Sequence, residues 1–160
     1  MDRIDKILNH DLFIEHMRLN DAAEADRRFC RHNMGHLLDV ARIAMILNLE
    51  EELGIEKDVL YAAALLHDIG RHIQYEDGTP HEQASAVIAP EILRDCGYDD
   101  KETDVIVKAI SLHRTMETAE KPSLNGILYR ADKASRPCFA CKMEQACDWK
   151  KGKKNLTIKY

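Results

Sequence analysis

The run Val59-Leu60-Tyr61-Ala62-Ala63-Ala64-Leu65-Leu66 is the most apolar stretch of the chain, and it ends on His67-Asp68. Entered through the carboxylate of Asp58, where it suits a helix dipole, the run reads as a buried helix. An imidazole and a carboxylate are thereby delivered to the edge of a core, where isolated charge is costly unless paired or metal-bound. Gly70 follows and offers a helix stop. The fold must therefore set a polar pair at the rim of its most hydrophobic element. Other residues of metal-binding type stand on both sides: His36 upstream, and His81, His113 and Asp132 downstream.

Strand-like alternation is almost absent elsewhere, and helical spacing recurs. Ile4, Ile7 and Leu8 share a short helix over 2–9, and Asp11 can cap a second bearing Leu12, Phe13 and Met17. Residues 20–26 read as a helix end or a loop. Leu37, Val40, Ala44 and Leu47 form one stripe on a helix predicted from about His32 to Leu53. The apolar helix is expected over about 57–69, and Tyr75–Pro80, with its Asp-Gly and Thr-Pro pairs, reads as a turn or loop. A helix over 81–96 contains Pro90, which should kink or split it. Further helices are predicted over 99–113 and 123–135, ended by Pro137. The expectation is an all-α single domain over 1–160, a helical bundle with a core at about 32–136 and a cysteine-containing, lysine-rich extension at 137–160.

Other classes are narrowed by composition. The 28 acidic and 23 basic side chains of the 160 residues leave a net charge of −5, which argues against broad nucleic-acid binding through a basic patch. No apolar stretch reaches the roughly 18 residues of a membrane span. The N-terminus is charged from its second residue and lacks a secretory apolar region, so a cytoplasmic protein is expected. Five cysteines in such a chain favour free thiols or metal ligation over a disulfide framework.

Adjacent helical residues point about 100° apart, so His67 and Asp68 serve one centre only if the helix ends there. Alternatively they serve two metals, with the short carboxylate bridging. His36, His113 and Asp132 each fall at or near the end of a predicted element, which suits convergence on a cleft between helices. Imidazole and carboxylate ligands together suit Fe, Mn, Co, Ni or Zn. Such a site turns bound water into a nucleophile near neutral pH, and two metals roughly 3.5–4 Å apart clamp a phosphoryl group.

The order His36…His67-Asp68…Asp132 resembles the signature of the HD superfamily of metal-dependent phosphohydrolases, an all-helical fold. The flanking segments HLLDVARIA, AALLHDIGR and YRADKASR fit it. With His81 (HEQASAVIA) and His113 (AISLHR), the longer pattern is similar to bacterial HD hydrolases that cleave diadenosine tetraphosphate symmetrically. The resemblance covers about His32 to Arg136. It implies that His36, His67, Asp68 and Asp132 hold one divalent metal. His81 and His113 hold a second, with Asp68 bridging, and metal-bound hydroxide attacks phosphorus. The implied substrate is a small phosphorylated molecule, a nucleotide or dinucleotide, with no nucleic acid or membrane partner and with a homodimer open. Many relatives carry lysine where this chain has Arg71; the guanidinium keeps the charge and offers a planar fork for phosphate. No glutamate-aspartate pair follows the doublet, which weakens a guanosine tetraphosphate hydrolase reading.

Competing readings stay open on the sequence. The doublet alone can be a hydrogen-bonded helix end, His81 a helix-start residue, and His113 a favourable partner of a helix dipole. A mononuclear HD nucleotidase needs only His36, His67, Asp68 and Asp132. A nucleotide-sensing module keeps the pocket without turnover, and a di-iron oxygenase would require redox-active iron. His32, four residues before His36, is a candidate contact for substrate phosphate, as are Arg114 and Lys133; Arg136 is another. His72 points either into the cleft or to solvent, and His10 and His16 read as surface residues. Cys138-x2-Cys141-x5-Cys147, completed by Cys30, can bind a structural zinc or an iron–sulfur cluster, or the four remain free thiols.

Overall fold

In a computed structural model, described here for residues 2–160, the apolar run forms a ten-residue helix that is almost wholly enclosed. The fold is all-helical: α1 Arg3–Leu8, α2 Asp11–Ala23, α3 Met34–Glu50, α4 Lys57–Leu66, α5 Arg71–Asp77, α6 His81–Asp95, α7 Asp100–Leu112 and α8 Leu124–Ala134. Short 3-10 turns follow at Met116–Thr118, Cys138–Ala140 and Lys151–Lys153, and the described residues contain no strand. Leu60, Ala62, Ala63, Ala64, Leu65 and Leu66 are all buried, which is why α4 can be apolar around its whole circumference. It packs against α1, α3, α6, α7 and α8, and those helices bury Leu37, Val40, Ile92, Ile106, Ile110 and Ile127 around it.

Several expected boundaries shift, each for a local reason. The Asn33 side chain accepts from the His36 N–H at 3.2 Å, so α3 starts at Met34 and His32 lies outside it. The expectation that His32 and His36 share a helix face therefore fails. α4 stops at Leu66 rather than running to Ile69, and a separate helix, α5, occupies 71–77, its last three residues lying in the segment Tyr75–Pro80 expected as a turn or loop. Only Gly78, in left-handed conformation (φ 84°), Thr79 and Pro80 form the expected loop. α2 ends at Ala23, so residues 20–26 hold a helix end, one of the two readings the sequence allows. Pro90 does not split α6, which runs unbroken over 15 residues. The lost N–H is one missing bond in a helix held on both sides by α5 and α7. A capping box at Asp99 and Glu102 opens α7.

Polar clamps tie the outer helices to the inner ones. Arg3 donates to Asp58 from Nε at 2.6 Å and to Glu102 from Nη1 at 2.7 Å, which joins α1 to α4 and α7. Asn20 of α2 is 1% exposed. Its Nδ2 donates to the Asp68 carbonyl at 3.0 Å and its Oδ1 accepts from the His72 N–H at 2.7 Å. This amide supplies the backbone bonds that the turn between α4 and α5 cannot make within itself.

Candidate metal centre

Each imidazole of the centre is set at a helix end. His36 is in the first turn of α3, His67 follows α4, His81 opens α6 and His113 follows α7, while Asp132 lies in the last turn of α8. All five, with Asp68, are buried. The ring tautomers follow from their outer partners. His67 Nδ1 lies 2.7 Å from the Ala64 carbonyl and His113 Nδ1 lies 2.7 Å from the Ile110 carbonyl, so both nitrogens carry the proton. Ser135 Oγ donates to the Asp132 carbonyl at 2.7 Å and must accept from His36 Nδ1 at 3.2 Å. His81 Nδ1 sits between Gln74 Oε1 at 2.6 Å and Arg71 Nη1 at 2.7 Å, two partners that call for opposite tautomers. If Gln74 prevails, all four Nε2 lone pairs point at one place.

That place is Asp68. Its Oδ2 is 3.1 Å from His67 Nε2 and 3.4 Å from His36 Nε2, with Asp132 Oδ1 also 3.4 Å from His36 Nε2. Its Oδ1 is 3.1 Å from His81 Nε2 and 3.7 Å from His113 Nε2. Two ligand sets result, His36/His67/Asp68/Asp132 and Asp68/His81/His113, in each of which the ligand atoms lie within 4.8 Å of one another.

The residues fit a pair of cations. His67 Nε2 is buried and, though 3.1 Å from Asp68 Oδ2, is not aligned to hydrogen-bond it, and the Nε2 atoms of His81 and His113 face each other at 3.2 Å. With the His81 proton on Nδ1 towards Gln74, both of these nitrogens carry lone pairs, which repel unless a cation joins them. Burial, with the charge of His67, holds the His113 ring neutral by pushing its pKa down to about 3. Burial works against the charged forms of Asp68 and Asp132 too. The surrounding imidazoles outweigh it and hold both carboxyls well below the usual range. The same carboxylates overcome burial at His67 and raise its pKa to about 10. Two buried carboxylates among four imidazoles form a donor set that suits a divalent ion, whose binding would displace the His67 proton.

A cleft of about 450 Å3 opens onto the cluster. Arg27, Arg71, Arg114, Lys133 and Arg136 line it, so the site is locally cationic in a chain of net charge −5. Lys133 Nζ already bonds Asp132 Oδ2 at 2.6 Å, Arg114 is exposed, and Arg136 is buried beside His36 and Asp132. His32 also lines the cleft, its ring edge-on to His36 with centroids 5.5 Å apart. His72 takes neither expected position: it is buried against His16, their rings stacked at 5.1 Å, so His16 is not a simple surface residue. His10 caps α2, accepting from the Leu12 N–H at 3.3 Å. Cys30, Cys138 and Cys147 line the same cleft, and Cys30, Cys138 and Cys141 line an adjoining cavity beside His36.

Sequence reasoning did not find Glu24. It is 3% exposed and accepts from the His32 N–H at 2.7 Å, from the His32 ring and from the Tyr75 hydroxyl at 2.8 Å. Burial would raise the Glu24 carboxyl, but these bonds outweigh it and hold the pKa at about 2, below the ordinary 4.5. A carboxyl depressed on folding stabilises the protein above its unfolded pKa and loses that contribution as pH falls. Between about pH 4.5 and 2 the native protein should therefore lose stability on the order of 1–3 kcal/mol. Urea midpoints across that window should be flatter for Glu24→Gln than for wild type, and parallel curves would remove Glu24 from the account.

Residues 33–136 match the family model described as HD domain. The chain is 46% identical, over the whole length of both, to an uncharacterized protein of Clostridium beijerinckii. It is 33% identical over 107 residues to ribonuclease Y of Rubrobacter xylanophilus, covering 65% of this chain and 19% of that protein. With ribonuclease Y of Clostridium kluyveri the identity is 31% over 122 residues, covering 76% of this chain and 21% of that one. The chain thus spans about a fifth of the ribonucleases it matches. Among solved structures, it superposes on a predicted HD superfamily hydrolase from an uncultured Thermotogales bacterium with TM-score 0.62 and 26% identity, covering 89% of this chain and 81% of that one. No helix among the described residues is long and apolar enough to cross a membrane. The matched segment holds His36, the His67-Asp68 doublet, His81, His113 and Asp132 on one all-helical frame, and the chain belongs to the HD domain family.

Proposed function

We propose that this protein is a phosphohydrolase with two divalent metals that cleaves a phosphoester or phosphoanhydride of a nucleotide or dinucleotide. The observation that carries the reading is Asp68, whose two oxygens face two different histidine sets. Metals bound there would supply a nucleophilic hydroxide at neutral pH and neutralise phosphoryl charge. The chain's own groups do the rest. His67 and His113 are locked by backbone carbonyls so that Nε2 alone faces the centre. Arg71 and Arg114 stand on the cleft wall as cations for the phosphate that is not attacked, with Arg71 beside His81 and Glu24. The cleft volume, about 450 Å3, falls in the range of sites for molecules of nucleotide size. Phe29 and Trp149 on its walls are surfaces on which a base can stack.

The test is a screen of nucleotides and dinucleotides for phosphate release with Mn, Fe, Co and Ni, paired with elemental analysis. His81→Ala and His113→Ala should each lower the metal content of the imidazole centre from two ions per chain towards one. Unchanged content rejects the second set and leaves the mononuclear nucleotidase reading. Tight nucleotide binding with no phosphate release under any metal would favour a sensing module. The likeness to part of ribonuclease Y favours a second reading, a phosphodiester of a short oligoribonucleotide. The same screen separates the two when it includes a dinucleotide joined by one phosphodiester.

A further inference from the structure

Residues 137–160 have no core. None of them is buried, and apart from two 3-10 turns they form no helix. The segment is nevertheless folded back on the domain. Asn155 Nδ2 donates to the Lys133 carbonyl at 2.8 Å and the Arg136 carbonyl at 3.0 Å, while Lys154 Nζ bonds the Glu144 carbonyl at 2.6 Å. Consecutive tight turns curl it: Cys141 N–H to the Cys138 carbonyl at 3.2 Å, Glu144 N–H to Cys141 at 3.2 Å and Cys147 N–H to Glu144 at 3.3 Å. Each turn begins or ends on a cysteine. Cys30, more than 100 positions earlier, meets them across two adjoining cavities: one wall carries Cys30, Cys138 and Cys141, the other Cys30, Cys138 and Cys147. All four are half-buried and none is in a disulfide.

We propose that Cys30, Cys138, Cys141 and Cys147 together ligate a thiophilic metal centre that fastens the C-terminal segment over the cleft. Short segments without a hydrophobic core need a staple of this kind. Four thiolates, two from the C-x2-C turn, one from Cys147 and one from the distant Cys30, are a complete ligand set for either a tetrahedral zinc or an iron–sulfur cluster. Arg136, 8% exposed and lining both cavities, offsets thiolate charge from the domain side. No three of the sulfurs lie within the 4.8 Å that encloses each imidazole–carboxylate set. A zinc with bonds of ~2.3 Å would draw the sulfurs to about 3.8 Å apart, whereas a four-iron cluster stands between its thiolates and leaves them wider. The inference is independent of the hydrolase reading, since it concerns other ligands and another metal class.

The experiment uses the full chain, purified anaerobically without chelator. Zinc, iron and acid-labile sulfide are measured, and metal-stripped protein is titrated with cobalt(II). The expected result is one zinc, or iron with matching sulfide, beyond the ions of the imidazole centre, together with a near-ultraviolet thiolate-to-cobalt band. Cys30→Ser and the double variant Cys138→Ser/Cys141→Ser should lose both, and Cys96→Ser should keep both, because Cys96 is buried elsewhere, at the C-terminal end of α6. Thiol counting on folded wild type needs no variant. Cys30, Cys138, Cys141 and Cys147 should resist a thiol reagent until metal is removed. Four thiols that react at once in the protein as isolated, or a Cys30→Ser protein that retains the cobalt band, would overturn the proposal.

Discussion

Asp68→Asn should abolish hydrolysis and empty both halves of the imidazole centre while leaving the helices in place. Asparagine keeps the size of the side chain but turns one oxygen into an N–H2 donor and removes the charge. Whichever way the amide lies, one histidine set then faces a donor instead of an acceptor, at the 3.1 Å now separating Asp68 from His67 and from His81. Loss of one preorganised electrostatic group commonly costs about 10^2–10^3-fold in rate. In the proposed centre a single residue would serve two ions, so the expected loss is about 10^3-fold or more. Elemental analysis and phosphate release check it together. A variant that hydrolyses substrate at the wild-type rate would end the bridging account, and one that keeps a single ion with partial activity would assign Asp68 to one set alone.

Gly70→Ala is expected to produce the largest loss of stability among conservative changes near the site. A methyl group at Gly70 would sit 2.6 Å from the Ser85 backbone nitrogen and 2.7 Å from Ala84 Cβ, so α6 itself would have to move. The glycine is required by this close approach; its φ of −90° is open to any residue. The Gly70 N–H also donates to Ser85 Oγ at 2.9 Å, a bond that the displacement would break. Overpacking of this kind costs about 1–3 kcal/mol, which in a domain of this size lowers the melting temperature by roughly 3–10 °C. Because α6 begins with His81, the shift also withdraws that ring from Asp68. Thermal unfolding and metal counting should therefore change together, with the ion of the Asp68/His81/His113 set lost first. Wild-type melting would show that α6 yields without strain.

The parts of this fold that could be read directly are those where local pattern and tertiary demand coincide. The apolar run before His67 has to be buried wherever it goes, and Asp99 with Glu102 writes its own helix start, so α4 and α7 lie close to their predicted positions. α5 was hidden because Arg71–Asp77 has only Ile73 as an aliphatic residue, while its one buried side chain, His72, is polar. α3 starts two residues later than its apolar stripe suggests, because the Asn33 side chain caps it by accepting from the His36 N–H. Asn20 and Glu24 carry no local signal. Both sit on or just after α2 and become buried only when that helix docks on α5, where they meet Asp68, His72, His32 and Tyr75. The six centre residues are legible as a set through the likeness of their order and flanking segments to the HD pattern, whereas their tautomers depend on Ser135, Gln74 and two carbonyls that no spacing reveals.

The spread of the ligands along the chain has a consequence for the time at which metal can be acquired. A ribosome delivers His36 first and Asp132 almost a hundred residues later, and domains fold as their segments emerge. The Asp68/His81/His113 set is complete in sequence once residue 113 is out, while the other set waits for α8. An ion arriving earlier would meet an open half-site with carboxylates still in water, so metallation would belong to the finished chain and depend on the ions then available to it.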